Sequence, residues 1–242
     1  MKRFFSTTLF GLIWAAQPAL AAETGHKAET DHKAETDHKA EAPAGHPFNP
    51  YTINSALQEL KNGNRRFVDH QPTYPNQQKA LRDKLSTAGQ TPLAAILSCS
   101  DSRVPVELIF DLGFGDLFVI RDAGNVPGVD EVGSIEYAVE HLGVPLVVVL
   151  GHTKCGAVTA AVQGADEPGA LGQLLARIKP AAAAVADLPE DKKVSAAVHK
   201  NVELGVKQLL AQSRTLARAV QEGRTKIVGA VYRLEDGLVV FE

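Results

Sequence analysis

The chain has 242 residues, 45% of them hydrophobic, with 25 Lys and Arg against 28 Asp and Glu. A net charge of −3 excludes the large basic field that nucleic-acid binding needs, and the length admits one good-sized domain or two small ones. Two cysteines occur, Cys99 and Cys155, so a single disulfide is a reading to be weighed.

Lys2 and Arg3 precede an apolar stretch from Phe4 to Ala16, and Ala19-Leu20-Ala21 supplies a small-x-small cleavage pattern. Residues 1–21 read as a secretory signal peptide, because the apolar run is too short for a good membrane span. Export implies a periplasmic or secreted mature chain with no membrane attachment after cleavage. From Ala22 the hexapeptides AETGHK, AETDHK and AETDHK repeat, carrying His26, His32 and His38, with His46 further on. Residues 22–48 have no aliphatic side chain larger than Ala or Pro and cannot bury a core, so a disordered tail is expected.

Residues 49–242 carry the folded domain. Ile53, Leu57, Leu60 and Phe67 recur at helical spacing, predicting a helix over Thr52–Phe67 with Asn54 or Ser55 as cap. A polar helix is expected over Gln77–Ser86, then apolar strands at Leu93–Ser98 and Leu117–Ile120. Val132–Leu142 reads as a helix, and Pro145–Leu150 as a strand buried on both faces. Further helices are predicted over Cys155–Gln163, Leu171–Ile178, Lys192–Gln212 and Ser213–Glu222. Lys226–Leu234 and Leu238–Phe241 form strands around the turn Asp236-Gly237. Buried strands alternating with helices indicate an α/β fold with a mainly parallel β-sheet flanked by helices.

Two motifs sit where apolar strands end. In "ILSCSDSRVP" the residues Cys99, Asp101 and Arg103 alternate, and on an extended chain alternate residues share a face. In "VVVLGHTKCGAV" His152 and Cys155 follow a strand read as ending at Gly151, and Cys155-Gly156 opens a helix. Ligands of parallel α/β sheets bind beyond the carboxyl ends of the strands. Two thiols, an imidazole and a carboxylate gathered there suit tetrahedral zinc, and a helix N-terminus favours the thiolate at Cys155. A disulfide and a pair of inert buried thiols remain open on these residues alone.

C-x-D-x-R at Cys99–Arg103, followed by H-x-x-C at His152–Cys155, resembles the β-class carbonic anhydrases, and the likeness runs from about Thr52 to Phe241. It includes "GDLFVIRDAGNV" and "GSIEYAVEHLGV" between the two motifs. The resemblance implies one Zn²⁺ per subunit, held by Cys99, His152 and Cys155, with Asp101 and Arg103 as a catalytic dyad. Zinc with an open fourth position would lower the pKa of water towards about 7, and the hydroxide would attack carbon dioxide to give bicarbonate and a proton. Arg103 would clamp Asp101, which unclamped would be a fourth ligand in an inactive closed state. Ala123, Gly124, Asn125, Val126 and Gly156 are expected beside the site or its substrate pocket. A homo-oligomer built from dimers, dimer or tetramer, is also implied.

One departure stands out: a bicarbonate-inhibited subgroup of the family has Trp three residues before the first cysteine, where this chain has Ile96. Arg121, which matches the arginine of that regulatory pocket, therefore reads as structural. Lys154 reads as a positioning or surface residue. Rival readings are a hydrolase of carbonyl sulfide or carbon disulfide on the same scaffold, and a zinc-storing protein suggested by the histidine tail.

Overall fold

Helix α1 (Ile53–Val68) starts at a capping box in which Thr52 and Ser55 satisfy each other's backbone N–H groups. The computed structural model describes residues 49–242, so the expected signal peptide and histidine tail lie outside the described residues. The polar helix α2 (Lys79–Ala88) follows and buries none of its own residues. Strand β1 (Ala94–Cys99) leads into the short helix α3 (Val106–Ile109), and β2 (Leu117–Asp122) into α4 (Val129–His141). Strand β3 (Leu146–His152) is followed by α5 (Gly156–Val162), α6 (Gly169–Ala183), α7 (Glu190–Gln212) and α8 (Arg214–Gln221). Strands β4 (Lys226–Tyr232) and β5 (Val239–Phe241) end the fold.

The sheet has the order β2-β1-β3-β4-β5, parallel except for β5, which pairs antiparallel with β4. Its two faces feed two cores. Ala95, Leu97, Val147 and Val149 pack with the layer of α4 to α8, whereas Ala94, Ile96, Leu146, Val148 and Leu150 pack with α1 and α3. Every residue of β1 and β3 is buried, as their continuous apolar runs predict. Cutting Leu97 or Leu150 to Ala would cost about 2–5 kcal/mol through lost burial and the cavity left behind.

Helix α7 approaches the sheet closely. A Cβ added at Gly151 or at Gly229 would lie 2.6 Å from a methyl of Val202, so the two missing side chains make room for it.

Several boundaries differ from expectation by a few residues, and three junctions have a clear local cause. Helix α4 begins at Val129 rather than Val132, because Asp130 and Glu131 favour a first helical turn and Gly133 interrupts the apolar pattern without breaking the helix. Helix α6 runs on through Pro180 to Ala183 instead of stopping at Ile178, since a proline in the last turn removes only one bond. Ser213 both ends α7 and caps α8 by accepting from the Leu216 N–H, so the two predicted helices are separate elements.

Candidate metal centre

Cys99 and His152 are the last residues of β1 and β3, the adjacent strands at the middle of the sheet. Each strand runs further than predicted, β1 past Ser98 and β3 past Gly151, so that both residues are fixed by rigid elements. Cys155 occupies the N-cap of α5. The three residues are buried, and their ligand-type atoms lie within 4.8 Å of one another. Both thiols are free, so the disulfide reading is not what the geometry presents.

Asp101 and Arg103 do join this end of the sheet, but not by alternation along a strand. The pairing of β1 with β3 stops at Ser98 opposite Leu150, and beyond Cys99 an extended chain would have lost that partner. The chain turns instead: Val104 N–H donates to the Asp101 carbonyl at 3.0 Å, and Arg103 N–H to Asp101 Oδ1 at 2.9 Å. Asp and Ser side chains favour such local turn bonds over ladder pairing. Arg103 then reaches back with Nε on Oδ1 at 2.9 Å and Nη2 on Oδ2 at 2.7 Å, a two-pronged clamp. This bonding, above all the side-chain pair, holds the Asp101 carboxyl well below the usual carboxylate range. Arg121, read as structural, supports the same turn through two backbone carbonyls.

The imidazole of His152 is fully buried. Its Nδ1 lies 2.9 Å from the Thr153 carbonyl, which can only accept, so the proton sits on Nδ1 and Nε2 carries the lone pair. Nε2 is buried without a hydrogen-bond partner and 3.9 Å from Asp101 Oδ2. An orphaned buried acceptor costs about 1–3 kcal/mol, which a metal ion at this point would recover. The thiols suit the same ion. The Cys155 thiol first, then His152 and the Gly124 N–H, bring the Cys99 thiol down against the effect of burial. That thiolate and burial push Cys155 up, a conflict that a nearby dication relieves. Two sulfurs and one imidazole nitrogen are a zinc-type donor set.

The neighbouring residues fall into separate roles. Gly124 donates its N–H to Cys99 Sγ at 3.3 Å, and its φ of +91° suits glycine. Asn201 on α7 holds the Gly124 carbonyl at 2.8 Å. Asn125 is buried at a φ of +47° with its Nδ2 unpartnered, and Val126 is buried with its N–H on the Asp122 carboxylate. Ala123 lies between Asp122 and this turn. Gly156 is exposed; the amides at the start of α5 that act on a site atom are those of Ala157 and Val158, which pull on the Cys155 sulfur. Sequence reading missed Asp122, which burial first and then the charges of Glu131 and Cys99 push up to about 7. It also missed Thr153, Glu235 and Asn201, whose partners are far away in the chain.

The model of the family described as carbonic anhydrase matches residues 94–239, which contain all five motif residues. The chain belongs to the carbonic anhydrase family. Among curated relatives, carbonic anhydrase 2 of Mycobacterium tuberculosis is 41% identical over 190 residues, covering 77% of this chain and 91% of that protein. The carbonic anhydrase of Pseudomonas aeruginosa is 37% identical over 194 residues, covering 76% and 86%. Among solved structures, the β-carbonic anhydrase CcaA matches with a TM-score of 0.62 at 28% identity, covering 77% of this chain and 95% of that one. A structure from a study of two tetrameric β-carbonic anhydrases of Sordaria macrospora matches at 0.61 and 28%, covering 78% and 95%. The present enzyme is thus a β-class carbonic anhydrase with the Cys99, His152 and Cys155 group at the carboxyl edge of its sheet.

Proposed function

We propose that this carbonic anhydrase interconverts carbon dioxide and bicarbonate plus a proton with one zinc ion held by Cys99, His152 and Cys155. The observation that carries the reading is the orphaned Nε2 of His152, buried among two thiols and facing a carboxylate that is already engaged elsewhere. When bound, zinc supplies the Lewis acidity that makes water a nucleophile near neutral pH. Asp101, kept ionised by Arg103, accepts a hydrogen bond from the attacking water and aims its lone pair at the substrate carbon. Arg103 also holds the Asp101 carboxylate away from Cys99, His152 and Cys155, the residues that would hold the ion; without the clamp the carboxylate would be free to join them. Ala123, Gly124, Asn125 and Val126, which follow β2, would stand beside the substrate, a small apolar molecule that calls for few polar groups.

Metal analysis beside stopped-flow carbon dioxide hydration tests the reading. Stoichiometric zinc with rapid hydration is expected. Sulfide release from carbonyl sulfide or carbon disulfide without hydration would move the activity to the rival chemistry, and zinc without either turnover would favour a store. A store has no use for a clamped carboxylate.

The N-terminal segment supports export to the periplasm or beyond, with cleavage after Ala21. The intact mass of the exported protein checks this, since cleavage removes Trp14, the only tryptophan. Among the described residues no helix is long and apolar enough to cross a membrane. The tail histidines would capture zinc weakly for loading after export; deleting residues 23–46 would then slow activation by limiting zinc, whereas a mere spacer would leave it unchanged. Exposed Val129 and Tyr137, with Phe118 against Tyr137, support a homo-oligomer of dimers, dimer or tetramer.

A further inference from the structure

Between His152 and Cys155 stand Thr153, of which the chemistry above uses only the backbone carbonyl, and Lys154, which it does not use. Thr153 is fastened to the end of β4 and the residues after it at three points. Its N–H donates to the Tyr232 carbonyl at 3.0 Å, and its hydroxyl accepts from the Leu234 N–H at 3.0 Å while donating to Glu235 Oε2 at 2.9 Å. Lys154 Nζ stands 3.1 Å from the other Glu235 oxygen. Lys154 holds a φ of +55°, a left-handed conformation that costs a non-glycine residue about 1–2 kcal/mol. The surroundings must therefore impose that bend, and the Glu235 contacts do so from one side. From the other side Arg103 Nη2 donates to the Lys154 carbonyl at 3.3 Å.

We propose that Glu235, acting through Thr153, is a positioning residue for His152. The Thr153 carbonyl is the acceptor that keeps the imidazole proton on Nδ1 and leaves Nε2 for the metal. Its direction follows the Thr153 peptide, which the hydroxyl bonds to Leu234 and Glu235 hold in place. A threonine hydroxyl has one proton; giving it to the carboxylate points a lone pair at the Leu234 amide, so the two bonds lock each other. The clamp is not a packing element, because the Glu235 side chain is 47% exposed and that of Lys154 69%. A turn eighty-odd residues downstream thus determines how firmly the histidine of the motif presents its nitrogen.

The inference rests on the zinc reading above, and its test separates the two. Wild type, Glu235→Ala, Thr153→Val and Thr153→Ser are loaded with zinc and mixed with excess chelator to follow metal release. Cobalt-loaded samples of each give the visible spectrum of the ligand field. Glu235→Ala, which removes the acceptor for the Thr153 hydroxyl, and Thr153→Val should release zinc about 10-fold faster and show a shifted cobalt spectrum, while Thr153→Ser, which keeps the hydroxyl, should match wild type in both. Wild-type release and spectra in either Glu235→Ala or Thr153→Val overturn the proposal, including when melting temperatures fall. A wild-type protein that retains no zinc overturns the proposed function, and this inference with it.

Discussion

Arg121 and Asp101 meet through the backbone: Arg121 Nη2 donates to the Asp101 carbonyl at 2.7 Å, and Nε of the same guanidinium to the Cys99 carbonyl at 3.0 Å. Arg121 thus fixes where the Asp101 main chain lies, and Arg103 fixes where its carboxylate points. Replacing Arg103 by Ala should leave the turn in place and free the carboxylate alone. Carbon dioxide hydration should drop by at least about 100-fold with zinc still bound. Arg103→Lys should also be poor, because an ammonium cannot grip both oxygens. Near-normal turnover of fully zinc-loaded Arg103→Ala would sink the assigned role.

Stripping the metal should expose the thiols to oxidation. Cys99 and Cys155 are close enough to face one ion and are both unpaired. Thiol titration after chelation in air should find them lost to a disulfide or to oxidised sulfur, and intact in the untreated enzyme. Equal thiol counts in the two samples would contradict this.

Asp122 gives a pH dependence with a definite sign. Its folded value is about 7, against about 3.9 when unfolded. Between those values the native chain holds a proton that the unfolded chain has released, so stability falls as pH rises from about 4 to about 7 and levels off above. The loss is about 4 kcal/mol at most, reduced by the solvent that still reaches the carboxylate. Asp122→Asn keeps the acceptor for the Val126 N–H and should flatten the decline. Denaturant melts of reduced, metal-free protein between pH 4 and 8 measure it; parallel curves for the two proteins would refute the shift. Zinc beside Cys99 should shrink the difference by favouring the ionised carboxylate.

Asp111 tests a purely structural bond. Its side chain is 1% exposed and accepts from Arg66 Nε at 2.6 Å, from the Thr73 N–H and hydroxyl at 2.9 and 3.0 Å, and from the Tyr74 N–H at 3.0 Å. Asp111→Ala strands those donors and should cost about 3–5 kcal/mol in a urea melt, with less lost in Asp111→Asn. Activity per folded molecule should not change, since none of these groups touches the metal centre. A melt within error of wild type would show that the network contributes nothing.

Much of the fold is legible in the sequence. PLVVVL and the run before Cys99 announced buried central strands because hydrophobic continuity is a local signal, and both motifs fell at strand ends where parallel sheets place their sites. Alternation along a strand was the wrong reason to group Asp101 and Arg103 with Cys99, since where β1 stops depends on its neighbour β3 and not on its own residues. Thr153 with Glu235, and Asn201 with Gly124, left no trace: hydroxyl, carboxylate and amide side chains are ordinary on a surface, and only the fold brings such distant positions together. The raised Asp122 was hidden likewise, because burial depends on what packs above it.

Two absent methyl groups let α7 come close to the sheet beside Cys99, His152 and Cys155. Glycine at 151 and 229 lets Val202 seat both its γ-carbons into the sheet, and α7 rides lower by that allowance. One residue back along the same helix, Asn201 holds the Gly124 carbonyl, and Gly124 holds the Cys99 sulfur. An alanine at either glycine would act as a shim under a bearing: the helix lifts, and the displacement is handed on through an amide and a peptide to a sulfur atom. The fine tolerance of the chemistry is machined into the core, by side chains the protein leaves out.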